Sequence, residues 1–256
     1  MDFPDRSRYP IMYRLVWDTD FNILSSRKKK PKTMTITHPH PNALTNSSTV
    51  VLQDDLDQER HQCYLASRYL ALDTETMGLK TRRDRLCLVQ MCNEDGVITL
   101  VRFQPSNLLR PPPRLQSILE SAQVEKICHF ARFDIAALQH WLGVSVKPVF
   151  CTKIASRLTR TYTDRHGLKD LVAELLKIDM NKEQQSSDWA AETLSEQQIA
   201  YAASDVIHLV ALKTKLEALL ARENRLELAR SCMNFLPVRV ALDLAGWEEH
   251  DIFSHH

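Results

Sequence analysis

The chain has 256 residues, 44% of them hydrophobic, which is enough for one large core or two small ones. Its 33 Lys and Arg stand against 32 Asp and Glu, so the formal charge is +1 and any nucleic-acid binding must be local. The five glycines, Gly78, Gly96, Gly143, Gly167 and Gly246, lie far apart, which excludes a phosphate-binding P-loop and a dinucleotide fingerprint.

Residues 1–60 come first and are punctuated by Pro4, Pro10, Pro31, Pro39 and Pro41, with little sustained apolar periodicity. They are expected to form a mobile extension ahead of a domain spanning 61–256. The run from Arg27 to Lys32 reads as a solvated basic tail, with nucleic-acid contact as the alternative, and Met12 and Met34 are alternative starts. Asp2, Asp5, Arg6 and Arg8 precede an apolar stretch that Arg14 interrupts, and no segment approaches the roughly 18 consecutive apolar residues of a membrane span. No membrane partner is expected, and the cytoplasm is the default compartment. Cys63, Cys87, Cys92, Cys128, Cys151 and Cys232 contain no C-x-x-C pair and lie mostly among apolar residues, so they read as reduced structural thiols.

From Cys63 onward the pattern becomes regular. Tyr69 to Thr74, Arg85 to Asn93 and Val97 to Phe103 predict three strands in an antiparallel meander. A helix follows Pro111, Pro112 and Pro113; Glu125 to Ala131 predicts a further strand and Phe133 to Leu142 a helix. Together these imply an α/β fold with a mixed sheet. Beyond Thr152 the chain reads as helical, with Leu194 to Arg222 the longest periodic segment and another helix up to Phe235.

Three acidic placements carry chemistry. The first apolar strand ends in Asp73 and Glu75, whose i, i+2 spacing points both carboxylates to one face. Paired like charges at a strand end are costly unless something neutralises them, and a hard divalent cation is the usual remedy; a solvated strand end is the bland alternative. Asp134 falls where strand gives way to helix, either a helix cap or a site residue. Tyr201 and Asp205, four apart, share a face of an otherwise apolar helix, where a buried acid needs a partner.

The order Asp73-x-Glu75, Asp134 in a His-x-Ala-x-Phe-Asp frame, and Tyr201-x-x-x-Asp205 resembles the DEDDy branch of the 3′-5′ exonucleases, which share a ribonuclease H-like (DnaQ-like) fold. Gln184 to Trp189, with Leu194 and Ser195 ahead of Tyr201, is similar to ribonuclease D. The stretch from Cys151 to Lys169 and the end from Phe235 to Phe253 look closer to the NrnC-type (nano-RNase C) proteins, which degrade very short RNAs, notably dinucleotides. Two departures favour that branch: Phe130 stands where ribonuclease D commonly has Asn, and the chain beyond Asp205 leaves little room for appended RNA-binding domains.

The resemblance implies four carboxylates converging from two strands and a helix around two Mg²⁺ or Mn²⁺ ions, with Asp73 shared and Glu75, Asp134 and Asp205 completing the set. It implies that Tyr201 orients the attacking water. It places Leu79 as a wedge between two bases, an ordinary loop leucine being the alternative. Lys153, Arg157, Arg160, Arg165, His166 and Lys169 form a locally basic stretch around Tyr162, with Arg165 and His166 the preferred phosphate ligands. Gln185 and Ser187 touch the substrate backbone or order their loop. His129 and His208 are expected to pack or hydrogen-bond, and Trp189 and Trp247 to serve core or interface. The expected activity is metal-dependent 3′-5′ hydrolysis of dinucleotides and very short RNAs. A nuclease for longer RNA or DNA and a catalytically idle RNA-binding module are the rivals. The same relatives imply a homo-oligomer, a ring-shaped octamer, with the segment from Phe235 to Phe253 as an interface.

Overall fold

A computed structural model describes residues 49–180 and 187–255. The basic run at 27–32 lies outside the described residues. Strand β1, Val50–Gln53, is followed by helix α1, Gln58–Leu65, whose N-cap Asp57 accepts a hydrogen bond from the Arg60 amide. β1 and the first residues of α1 belong to the fold although they lie upstream of residue 61. A four-residue strand that joins the sheet edge is too short to leave an alternating signature.

The expected meander is present: β2, Tyr69–Thr76, β3, Leu86–Asn93, and β4, Ile98–Arg102, pair antiparallel in succession. Every residue of β3 is buried, so it runs through the core with helices against it. Helix α2, Pro113–Leu119, starts at the proline cluster, and its buried Leu115, Ile118 and Leu119 join the core. Strand β5, Glu125–Cys128, then runs parallel to β2.

The strand expected to reach Ala131 stops at Cys128, because Phe130 adopts a left-handed backbone with φ of 69° and helix α3, Ala131–Leu142, begins directly after it. Asp134 therefore lies in the first turn of a helix. The α3 end is marked by Gly143, at φ 67°. Strand β6, Val149–Cys151, which the sequence pattern did not reveal, pairs parallel with β5. The sheet order is β1-β4-β3-β2-β5-β6, a mixed six-stranded sheet.

Helices complete the chain: α4, Thr152–Thr159; α5, Leu168–Leu171, continuing into a π-helical turn at Val172–Leu176; α6, Glu196–Ile207; α7, Leu209–Arg222; and α8, Leu226–Leu242. The single periodic segment expected from Leu194 to Arg222 is two helices broken at His208. Ser195 starts α6 with a reciprocal capping box to Gln198. All six cysteines are free thiols, four of them buried. Among the described residues no helix is long and apolar enough to cross a membrane.

Candidate active site

Strand β2 delivers the first two acids. Its apolar half, Leu70 to Leu72, is buried in the sheet, and pleating then turns Asp73 and Glu75 to one face and Thr74 to the other. On α6, the buried Ala202 and Val206 anchor the helix against the core, and the helical repeat sets Tyr201 and Asp205 on a common face. The result is a set of carboxylate oxygens from Asp73, Glu75 and Asp205 that all lie within 4.8 Å of one another. The Tyr201 hydroxyl is hydrogen-bonded with Asp205, and its ring lies 6.0 Å from that of the buried Trp189.

Asp134 reaches β2 from α3 and is only 2% exposed. The Thr74 hydroxyl donates to its Oδ1 at 2.8 Å. The acids thus converge from one strand and two helices, a correction to the expected two strands and a helix that follows from the early start of α3.

Burial and mutual repulsion raise the proton affinity of this group. Burial, then the charges of Asp134, Asp205 and Glu75, hold the Asp73 carboxyl well above the usual range. Glu75 is pushed up to about 8 by burial and by Asp205 and Asp134, against a donated bond from the Gln90 amide at 3.3 Å. Asp134 is pushed up to about 7 by burial, with the Thr74 hydroxyl opposing. The Tyr201 phenol is raised by burial and by Asp205, Glu75 and Asp73, so it stays a neutral donor. Each named charge acting on Asp73 and Glu75 is negative, and all the donor atoms are hard carboxylate oxygens. That is the chemistry of a site for hard divalent cations, and the residues fit such ions.

The remaining expected residues fall around this centre. Leu79 follows β2 on an exposed loop, 80% accessible. The Arg165 guanidinium is exposed and ion-paired with Asp170 at 2.8 Å. The His166 Nδ1 shares a 2.9 Å hydrogen bond with the Ser156 hydroxyl, and burial with Arg160 and Arg157 nearby keeps its imidazole below the ordinary histidine range. Ser187 accepts a bond from Gln198 at 3.2 Å, whereas Gln185 lies outside the described residues. Arg160, part of the basic stretch, is not a surface cation: it is 1% exposed, paired with Glu174, and donates to the Arg165 carbonyl at 2.7 Å. His129 shares a hydrogen bond with Thr152 at 2.9 Å. Trp189 is buried, and Trp247 is exposed.

Sequence reasoning missed three contributors. Thr74 holds Asp134, Gln90 holds Glu75, and Phe130, with the Lys153 ammonium 4.4 Å over its ring, makes the bend that brings in α3. Gln90 had left a signal, as a fully buried amide flanked by the apolar Val89 and Met91.

The chain is similar to several known proteins. A family model described as 3′-5′ exonuclease matches residues 49–221. The ribonuclease D of Gluconacetobacter diazotrophicus is 35% identical over 62% of this chain, and the match spans only 39% of that protein. The structure of Brucella melitensis NrnC superposes with a TM-score of 0.77 and 48% identity, covering 82% of this chain and 99% of that one. The same protein bound to pGG gives 47% identity and a TM-score of 0.77 over 82% and 99% of the two chains. With bound Mg²⁺ it gives 46% and 0.76 over 82% and 100%.

Proposed function

The chain belongs to the DEDDy 3′-5′ exonuclease family, in its ribonuclease D-like, NrnC-type branch, and from that premise we propose that it hydrolyses dinucleotides and very short RNAs from the 3′ end to nucleoside monophosphates. The observation that carries this reading is the set of Asp73, Glu75 and Asp205 oxygens within 4.8 Å of one another, with buried Asp134 held beside them by Thr74. Asp73, Glu75, Asp134 and Asp205 would together hold two Mg²⁺ or Mn²⁺ ions. Ions held there would supply Lewis-acid chemistry, polarising the scissile phosphodiester and offsetting charge on its oxygens.

The protein's own groups do the positioning. Tyr201 remains protonated, so its hydroxyl orients the attacking water rather than removing its proton. Leu79 parts the two bases. Arg165 exchanges Asp170 for the substrate's 5′ phosphate, and His166, fixed by Ser156, donates to the same group. Gln185 and Ser187 contact the substrate backbone. Similarity to a protein solved with pGG supports the short-substrate reading. The near-neutral net charge supports it too, because long strands are held by accumulated phosphate contacts. A homo-oligomer belongs to the same reading and light scattering would measure it, and the family match from residue 49 supports a domain whose N-terminal limit lies near there.

The test is a series of 5′-phosphorylated RNAs of two to seven nucleotides. The expected result is a sharp kcat/KM preference for the dinucleotide that Arg165→Ala narrows, with all activity lost on chelation and restored by Mg²⁺ or Mn²⁺. A steady rise of kcat/KM with length rejects the dinucleotide claim, and activity surviving thorough chelation rejects the metal site.

A further inference from the structure

The loop 78–84 that carries Leu79 is mounted more firmly than its exposure suggests. Met77 N donates to the Arg85 carbonyl at 3.0 Å and closes the loop at the end of β2, directly after the acids. On one side of Leu79 the Gly78 carbonyl accepts from the Thr76 hydroxyl. On the other side the Lys80 amide donates at 2.9 Å to Oδ2 of Asp84, a carboxylate buried within the loop. The Asp84 and Arg83 amides return to the Lys80 carbonyl at 2.8 and 2.9 Å, and the Trp141 indole donates to the Thr81 carbonyl at 2.9 Å. Gly78 packs so closely on this carboxylate that a Cβ there would lie 2.5 Å from Asp84 Oδ2 and 2.9 Å from its Cγ. The backbone is pinned on both sides of a leucine that is itself 80% exposed.

Loop tips that only connect strands are ordinarily small or polar and free to move. A large apolar side chain on a braced tip suits a group that must meet an apolar ligand surface without losing further freedom on binding. We propose that Asp84 and Gly78 are positioning residues that aim Leu79 between the bases of the substrate. This rests on the reading of Leu79 given above. Asp84 acts through the Lys80 amide, and Gly78 acts by leaving room for the Asp84 carboxylate.

The test measures kcat and KM for a 5′-phosphorylated RNA dinucleotide at saturating Mg²⁺, with thermal unfolding recorded for each variant. Leu79→Ala and Asp84→Ala are each expected to raise KM about tenfold with kcat within about threefold, the signature of lost preorganised binding. In the Leu79→Ala background Asp84→Ala is expected to add nothing. Asp84→Asn keeps an acceptor for the Lys80 amide and is expected to retain most of the parental KM. Gly78→Ala is expected to raise KM in the parent but not beside Asp84→Ala, where the two Cβ atoms would stand 3.6 Å apart in ordinary contact. Should Asp84→Ala fail to fold, Gly78→Ala and Asp84→Asn carry the same readout. An unchanged KM in Gly78→Ala and Asp84→Ala while Leu79→Ala raises it overturns the positioning role and leaves the wedge standing. So does a KM increase from Asp84→Ala that persists undiminished without Leu79. A silent Leu79→Ala removes the wedge, and the proposal with it.

Discussion

Thr74→Val deletes one hydroxyl and keeps the shape of a side chain buried between two acids. That hydroxyl donates at 2.8 Å to Asp134, which is 2% exposed, so water is poorly placed to replace it. A hydrogen bond to a charged group contributes about 1.5–3 kcal/mol, which is roughly 10- to 150-fold in an equilibrium constant. Residues that hold metal-binding side chains in place typically contribute about 10- to 100-fold in metal affinity. The half-saturating Mg²⁺ concentration is therefore expected to rise about 10- to 100-fold, with kcat at saturating Mg²⁺ within about threefold of the parent. Initial rates on a dinucleotide across a Mg²⁺ titration measure both. The pH dependence has a definite sign. Thr74 opposes the rise of Asp134 to about 7, so its loss raises proton affinity further, protons compete harder with the cation, and the deficit shrinks as pH rises through 7 toward 9. An unchanged half-saturating concentration would show that Asp134 is held by its helix alone.

Tyr201→Phe keeps the ring against Trp189 and removes the hydroxyl, so kcat is expected to fall about 10²- to 10⁴-fold with KM little changed, as single-turnover and steady-state rates would show. Intact kcat would make Tyr201 a packing residue. In metal-free protein, Glu75 and Asp134 are raised to about 8 and about 7, so the folded state keeps protons that the unfolded chain has released. That stability is present below about pH 4 and is lost as pH rises through 7 to 8, so Mg²⁺ is expected to raise Tm more at pH 8 than at pH 5. Equal gains at both pH values would contradict the coupled acids. Lys126, fully buried, donates to the carbonyls of Ser121, Val124 and Lys147 at 2.8, 2.6 and 2.7 Å. Lys126→Met strands those carbonyls and is expected to cost about 3–5 kcal/mol in urea unfolding. A loss under about 1 kcal/mol would mean that water takes the ammonium's place.

By itself the sequence determined what the backbone period determines. Alternation along β2 put Asp73 and Glu75 on one face, and the helical repeat put Tyr201 and Asp205 together on α6, because both relations hold over a few residues whatever the rest of the chain does. The meander of β2, β3 and β4 was legible for the same reason, since these strands pair with their sequence neighbours. The edge strands β1 and β6 were not, because four and three residues are too few for a period, and their pairing partners lie far along the chain. Only the tertiary structure decided that Phe130 turns left-handed and starts α3 at Ala131 rather than at the expected Phe133, that Thr74 on the opposite face of β2 holds Asp134, and that Arg160 is buried while Leu79 is displayed. Those outcomes depend on which groups meet across elements remote in sequence, where desolvation and hydrogen bonding select among conformations that local propensity leaves open.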